Sequence, residues 1–156
     1  MTIRFVLNGR EMCLDVAPDR RAVVLLREDL AVLGPKEGCG SGECGACSVL
    51  VDGEHRLSCL MLAAQLDGRE VLTSEGLGDT ETPHPLHQAF AAHGAVQCGF
   101  CSPGMVVAAA GLLGKKARPS REEVRRVLSG NLCRCTGYVK IVDAVLAAAR
   151  VLRGRP

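Results

Sequence analysis

The chain has 156 residues, nine of them cysteine, with only three Phe, one Tyr and a formal net charge of +2. This length excludes a full-size enzyme with its own large cofactor-binding fold, and the 47% hydrophobic fraction excludes a disordered chain. The small net charge, with neither a basic cluster nor a long apolar run in the sequence, predicts no nucleic-acid partner and no membrane insertion.

Residues 1–75 are predicted to form a small α+β domain. Apolar alternation and turn dipeptides that contain glycine indicate its elements. In chain order these are strands over 3–7 and 12–16 joined by Asn8-Gly9, a helix over 21–30, a strand pair over 48–51 and 55–57 joined by Asp52-Gly53, and a short strand over 70–73. A sheet crossed by one helix is a β-grasp-like arrangement, although the periodicity fits other small α+β folds as well.

Residues 76–85 are predicted to be an exposed linker, because Gly, Pro and acidic residues are frequent in this stretch. Residues 86–156 are predicted to form an all-helical domain. Its helices are expected over 86–93, over 103–113, from a capping box at Ser120 and Glu123 to about 128, and over 138–152. Four short helices in a segment of this length indicate a small bundle.

The cellular compartment bears on the role of the cysteines. Residues Met1–Phe5 alternate in strand fashion and show no export signal, so we expect a cytoplasmic protein. Disulfides are rare in the reducing cytoplasm, and an odd number of cysteines suits a disulfide framework poorly. The cysteines are therefore expected to bind metal ions or metal clusters.

Four cysteines lie in the predicted N-terminal domain, at Cys39, Cys44, Cys47 and Cys59. The Cys-x4-Cys-x2-Cys spacing is that of plant-type 2Fe–2S ferredoxins. The loop 38–47 also contains four glycines, which allow the backbone to wrap a cluster and bring amide groups close to the sulfurs. Structural zinc sites usually pair Cys-x2–4-Cys units, so zinc is the less favoured alternative here.

A second set of four cysteines comprises Cys98, Cys101, Cys133 and Cys135. Each pair precedes a predicted helix, whose N-terminal N–H groups and dipole favour bound negative charge. The spacing alone suits zinc almost as well as iron–sulfur ligation, but the ferredoxin-like motif in the same chain favours a second cluster. Cys13, on the predicted second strand, is interpreted as a free thiol.

Three longer motifs resemble the small iron–sulfur subunit of the molybdenum hydroxylases, the family of xanthine dehydrogenase, aldehyde oxidoreductase and carbon monoxide dehydrogenase. The motifs run over residues 37–47, 97–104 and 130–138, and the resemblance covers essentially the whole chain. It implies an α+β protein in which a β-grasp ferredoxin domain is followed by a four-helix domain. Each domain is expected to carry one 2Fe–2S cluster, with the two sets of four cysteines as ligands.

The resemblance also implies cofactors and partners. A large partner subunit is expected to hold molybdopterin and perform hydroxylation, and a medium subunit to hold FAD, in a heterotrimer that can dimerise. This chain, a separate non-catalytic subunit, then relays single electrons from molybdenum through its two clusters to FAD. Gln97 and Cys135 match the positions that approach the molybdopterin of the large subunit.

The resemblance leaves the substrate open between a purine-like N-heterocycle, an aldehyde and carbon monoxide. The Gly-Cys-Gly-x-Gly-Glu-Cys form of the first motif is closer to the purine and N-heterocycle hydroxylases. A reductive 4-hydroxybenzoyl-CoA-type enzyme is an alternative setting for the same subunit. A free-standing ferredoxin-like carrier is less favoured, because such a carrier is expected to be strongly acidic, whereas this chain has a net charge of +2.

Overall fold

The computed structural model describes residues 1–154; positions 155–156, at the end of the predicted helical domain, lie outside the described residues. A mixed sheet forms the N-terminal half and helices form the C-terminal half, so the predicted fold class is confirmed. The strands are β1 (Thr2–Leu7), β2 (Arg10–Asp15), β3 (Ser48–Val51), β4 (Glu54–Leu57) and β5 (Glu70–Leu72). The helices are α1 (Ala22–Val24), α2 (Pro85–Ala92), α3 (Ser102–Lys115), α4 (Arg121–Leu128) and α5 (Val139–Arg153).

The sheet has the strand order β2-β1-β5-β3-β4. Strands β1–β2 and β3–β4 are antiparallel hairpins, whereas β5 runs parallel to β1 and antiparallel to β3. Both hairpins turn at the predicted dipeptides, Asn8-Gly9 and Asp52-Gly53, whose residues all have the positive φ that a type I′ turn requires. Ile3, Phe5 and Leu7 alternate along β1 and are buried in the first apolar core, because successive strand residues face opposite sides of the sheet.

The predicted first helix forms only partly as an α-helix. α1 ends at Val24, and the chain continues as one π-helical turn over Leu25–Asp29, closed by the Leu30 N–H group donating to the Leu25 carbonyl at 3.1 Å. Leu25 and Leu26 are fully buried in this wider turn. Over so short a stretch the apolar spacing is the same for both helix types, so the sequence pattern could not distinguish them.

Helices α2 to α5 pack around a second apolar core, whose largest fully buried side chains are Leu86, Phe90, Met105, Leu128 and Ile141. The predicted capping box at the start of α4 is confirmed. The Ser120 hydroxyl accepts the Glu123 N–H at 3.2 Å, and the Glu123 carboxylate accepts the Ser120 N–H at 2.8 Å. These two bonds satisfy N–H groups that have no partner within the helix.

Helix α3 joins the two halves, because it packs on the sheet as well as in the helical core. Its Gly111 faces Leu50 of β3, and Lys115 at its end pairs with Glu54 of β4 at 2.6 Å. Ser74–Leu77 forms a 3-10 turn where the connection between the halves begins. The linker limits, 76–85, stay a prediction. None of the helices within residues 1–154 combines the length and the apolar character needed to span a bilayer.

Candidate iron–sulfur sites

The first set of cysteines lies on two segments of the N-terminal half. Cys39, Cys44 and Cys47 belong to the loop before β3, and Cys59 lies in a 3-10 turn just after β4. Ser58 ties the two segments together, since its N–H and its hydroxyl both donate to the Cys47 carbonyl, at 3.2 and 2.7 Å. Cys47 and Cys59 are buried side by side, and Cys39 at the tip of the loop is exposed.

The backbone of this loop stabilises negative charge on the Cys39 sulfur. The N–H groups of Ser41, Glu43 and Cys44 donate to Cys39 Sγ at 3.4, 3.2 and 3.4 Å. These backbone hydrogen bonds lower the pKa of the Cys39 thiol to about 6. A sulfur surrounded by amide donors is the environment that tunes an iron–sulfur cluster.

Burial raises the thiol pKa of other cysteines in the two sets, in contrast to the lowered pKa of Cys39. It raises the pKa of Cys47 to about 11, and burial together with the Cys133 thiol raises the pKa of Cys101 to about 12. A bound metal ion removes this obstacle, because a coordinating thiol is deprotonated outright. Before a metal ion is bound, Cys39 therefore ionises more readily than Cys47 or Cys101.

The lowered pKa of Cys39 predicts how the cluster-free chain reacts with iodoacetamide, because the thiolate is the nucleophile. The alkylation rate of Cys39 is expected to rise through a midpoint near pH 6 and to level off above about pH 7, while Cys101 stays unreactive at neutral pH. Mass spectrometry of chains labelled between about pH 5 and 9 measures both rates. A midpoint near the ordinary thiol value of about 8.5 would show that the loop loses this conformation without the cluster.

The second set of cysteines lines one open cleft of about 640 Å³ in the helical half. Cys98 Sγ and Cys135 Sγ lie 3.6 Å apart. Two thiolates bound at about 2.3 Å to one tetrahedral metal ion would lie about 3.8 Å apart, so this pair is close to a ligating geometry. Cys101 and Cys133 line the same cleft and are close enough to shift each other's pKa.

The surroundings of Cys133 also suit a thiolate. Its Sγ accepts the Thr136 N–H at 3.4 Å and lies 3.1 Å from the Thr136 hydroxyl. Tyr138 holds the segment in place: its hydroxyl accepts the Cys133 N–H at 2.8 Å and donates to the Asn131 carbonyl at 3.2 Å. The spacing of the cysteines did not predict this role of Tyr138, and no local sequence signal indicates it.

Only the first pair of the second set lies directly at a helix N-terminus. Cys101 is the N-cap residue of α3, as expected. Helix α5 is capped by Tyr138, three residues beyond Cys135, and Tyr138 has a left-handed backbone conformation with φ of 70°. Cys135 thus precedes α5, as expected, and Thr136 places its N–H and hydroxyl groups next to the Cys133 sulfur.

The donor sets fit the chemistry of 2Fe–2S clusters. Each set has four thiols, of which Cys47 and Cys59 in the first and Cys98 and Cys135 in the second lie side by side, and each set has amide or hydroxyl donors next to at least one sulfur. Within residues 1–154, no three His, Cys, Asp or Glu side chains are grouped so as to hold a single metal ion. Cys13 is exposed on β2 and is a free thiol.

The two cysteine loops are in direct contact. The Leu132 N–H group, next to Cys133, donates to the Cys44 carbonyl at 2.8 Å. The buried Asn131 side chain donates from Nδ2 to the Gly45 carbonyl at 2.9 Å and to the Ser48 hydroxyl at 3.1 Å. The Leu132–Cys44 hydrogen bond thus connects a ligand candidate of the first site to the residue next to Cys133 of the second site. The two sites therefore lie close together.

Gln97 and Cys135, the residues expected near a partner's molybdopterin, are both exposed, and Cys135 lines the cleft of the second site. Gln97 precedes Cys98, whose sulfur is the one in contact with Cys135. Phe100 and Leu132, which line the same cleft as Cys135, are 47% and 56% exposed, and Val96, next to Gln97 in the chain, is 43% exposed. This face of the helical half therefore exposes Cys98, Cys135 and apolar side chains to solvent.

Comparison with known proteins gives the same division of the chain into two cluster-binding parts. A family model described as a 2Fe-2S iron-sulfur cluster binding domain matches residues 5–73, and another described as a 2Fe-2S binding domain matches residues 73–146. The nicotinate dehydrogenase small FeS subunit of Eubacterium barkeri is 47% identical, over 93% of this chain and 92% of its own length. The xanthine dehydrogenase iron-sulfur-binding subunit of Escherichia coli is also 47% identical, over 94% of this chain and 92% of its own length.

Solved structures contain this unit either as a separate chain or within a much longer one. Quinoline 2-oxidoreductase from Pseudomonas putida 86 matches with a TM-score of 0.94 and 44% identity, over 98% of this chain and 96% of the other. The aldehyde oxidoreductase from Desulfovibrio gigas has a TM-score of 0.96 and 44% identity, and this chain covers 18% of it. With two cysteine sites on the fold of these proteins, the chain belongs to the family of small iron–sulfur subunits of the molybdenum hydroxylases and serves as an electron-transfer subunit, not as a catalytic one.

Proposed function

We propose that this chain passes single electrons from a molybdopterin subunit through two 2Fe–2S clusters to an FAD subunit. Cys98, Cys101, Cys133 and Cys135 bind the cluster nearer the molybdopterin. The cluster nearer the flavin is bound by the first set, Cys39, Cys44, Cys47 and Cys59. The single cleft lined by all four cysteines of the second set is the observation that carries this proposal.

The chain holds the cysteine thiolates in position and stabilises the negative charge on their sulfurs. A 2Fe–2S cluster supplies one-electron oxidation and reduction when it is bound. Backbone N–H groups around Cys39 and the Thr136 N–H at Cys133 stabilise negative charge on the sulfurs. The hydrogen bond from Leu132 to the Cys44 carbonyl holds the two loops at a fixed separation, so that neither site needs to move for an electron to pass.

Two exposed apolar surfaces provide docking faces for the two partners. The surface at the second site consists of Phe100 and Leu132, which line the cleft with Cys135, and of the exposed Val96 and Val139, which flank the cleft residues in sequence; it faces the large molybdopterin subunit together with Gln97 and Cys135. Leu60 and Leu62, next to Cys59, form a smaller exposed surface that faces the FAD subunit. Exposed apolar patches of this kind mark protein interfaces. The assembly is a cytoplasmic heterotrimer that can dimerise.

The substrate of the whole complex belongs to the aromatic N-heterocycles. Several relatives carry names that refer to nicotinate, nicotine and xanthine, and one solved relative is a quinoline oxidoreductase. All four compounds contain a nitrogen heterocycle, in agreement with the form of the first motif. Aldehydes are the second candidate class, because aldehyde oxidoreductases are also among the relatives. The relatives do not favour a reductive 4-hydroxybenzoyl-CoA-type enzyme or a free-standing carrier.

Isolation of the tagged chain with its partners tests this proposal. We expect a molybdopterin subunit and an FAD subunit to co-purify, and Leu132→Asp to lose the molybdopterin subunit because a charge in an apolar interface is costly. Val151→Asp is the matched control, since Val151 is also exposed, at 49%, but lies near the end of α5. Co-purification of a partner that lacks molybdopterin, or equal effects of the two substitutions, would contradict the proposal.

A further inference from the structure

We infer that Lys36 raises the reduction potential of the second iron–sulfur site by holding a positive charge between the two cysteine loops. Lys36 is not a ligand candidate, and it lies in the N-terminal half, whereas the second site lies in the helical half. The inference rests on the proposed function, since it requires a cluster bound by Cys98, Cys101, Cys133 and Cys135. The inference gives Lys36 a role in setting the reduction potential of that site.

The backbone of Lys36 is attached to the first cysteine loop. Its N–H group donates to the Ala46 carbonyl at 2.9 Å, and Ala46 lies between Cys44 and Cys47. The side chain extends toward the other half: its Nζ donates to the Gly34 carbonyl at 3.3 Å and lies 5.9 Å from the centre of the Phe100 ring. A cation at this distance from an aromatic face is held there by the negative charge of the ring face.

Phe100 brings the ammonium group close to the second site. It lies between Cys98 and Cys101 in sequence and lines the same cleft as all four cysteines of that set. Its ring also reaches the first loop at Gly38, where a Cβ atom would lie 3.5 Å from the ring and 2.9 Å from Cys44 Sγ. The ring therefore lies against the first cysteine loop and lines the second site, and the Lys36 ammonium is placed over it.

Other charges near Lys36 leave the region net positive. The Arg27 guanidinium donates to the carbonyls of Leu33 and Pro35 at 2.9 and 2.8 Å, and the Glu75 carboxylate accepts the Gly34 N–H at 2.6 Å. Together with Lys36 itself, these groups make two cations and one carboxylate at this segment. Burial, and then Arg27, lower the pKa of Lys36, which shows that its ammonium is partly removed from water, where charges interact more strongly.

The sign of the effect follows from the charge change on reduction. Uptake of one electron adds one negative charge to the cluster and its four thiolates, so a nearby cation stabilises the reduced form more than the oxidised form. Removing the cation is therefore expected to make reduction harder. We expect Lys36→Met to lower the equilibrium constant for reduction of the second site about tenfold, equal to about 59 mV for a one-electron couple.

The test is a potentiometric titration of the purified complex with dithionite as the reductant, in which EPR follows the two 2Fe–2S signals separately. Lys36→Arg keeps the charge and is expected to keep the wild-type potential. Lys116→Met removes a lysine charge at the C-terminal end of α3, about 20 Å from the Cys101 end of that helix, and is the matched control. Lys36→Gln, whose amide can still donate to Gly34, serves as a second neutral variant if Lys36→Met does not load both clusters.

A lower potential of the second site in the neutral variants, with Lys36→Arg and Lys116→Met unchanged, would support the inference. An unchanged second potential, or a shift confined to the first site, would overturn it while leaving the proposed function intact. Equal shifts in Lys36→Arg and Lys36→Met would overturn it as well, because they would indicate a packing effect instead of a charge effect. Absence of 2Fe–2S signals from the wild-type complex would refute the proposed function and this inference with it.

Discussion

Cys47→Ala is expected to remove one of the two EPR signals of the reduced chain, and about half of its iron, while the other signal remains. Cys47 is a buried ligand candidate of the first site, and alanine provides no atom that can bind iron. The second site is built from a separate set of cysteines and on a separate apolar core. Metal analysis and EPR of the purified variant measure both quantities. The reciprocal variant, Cys101→Ala, is expected to remove the other signal.

Cys13→Ala is the control for these variants, because Cys13 is exposed on β2 and belongs to neither set. It is expected to keep both signals and the full iron content. Loss of a signal in Cys13→Ala, or retention of both signals in Cys47→Ala, would show that the ligands have been assigned incorrectly.

Gly45→Ala is expected to destabilise the contact between the two cysteine loops strongly. Gly45 has φ of +70°, and a Cβ atom there would overlap the Gly130 carbonyl oxygen and lie 2.9 Å from Asn131 Cα. Both are backbone atoms of the opposite loop, so neither can move aside as a flexible side chain would. We expect a loss of about 3–5 kcal/mol in the free energy of unfolding, because overpacking adds to the cost of the backbone conformation. For a chain of this size the melting temperature should fall by about 10 °C.

Gly53→Ala separates the two causes of that loss. Gly53 has a similar φ, +77°, but no atom lies within 4 Å of the position that its Cβ would take. Alanine at this position therefore lowers the free energy of unfolding only by the cost of the left-handed conformation, about 1–2 kcal/mol. Thermal unfolding of the two cluster-loaded variants gives the comparison. Equal melting temperatures would mean that the loops are not in close contact at Gly45.

Much of the fold could be predicted because its signals are local. The Asn8-Gly9 turn and the capping box at Ser120 are read from residues at most three positions apart, and the structure contains both. The cysteine spacing likewise predicted two sites, and the structure places the second set around one cleft. The matches to two 2Fe-2S domain families support one cluster in each half.

The features that spacing did not reveal depend on contacts between distant residues. Asn131 bonds to Gly45, 86 residues earlier in the chain, and a single sequence does not indicate such a pair. The cation of Lys36 over Phe100 is a similar case, because the two residues belong to different halves. The left-handed conformation of Tyr138, the N-cap residue of α5, is uncommon for residues other than glycine and has no local signature here.

If both sites carry electrons between the partners during turnover, both must be reduced while the complex turns over its substrate. Rapid-freeze EPR of the intact complex, mixed with a substrate that it turns over, measures this. We expect two distinct 2Fe–2S signals to appear within one turnover and to integrate to about two spins per chain at full reduction, since each reduced cluster contributes one unpaired electron. A single signal, or two signals that appear more slowly than product forms, would contradict this expectation.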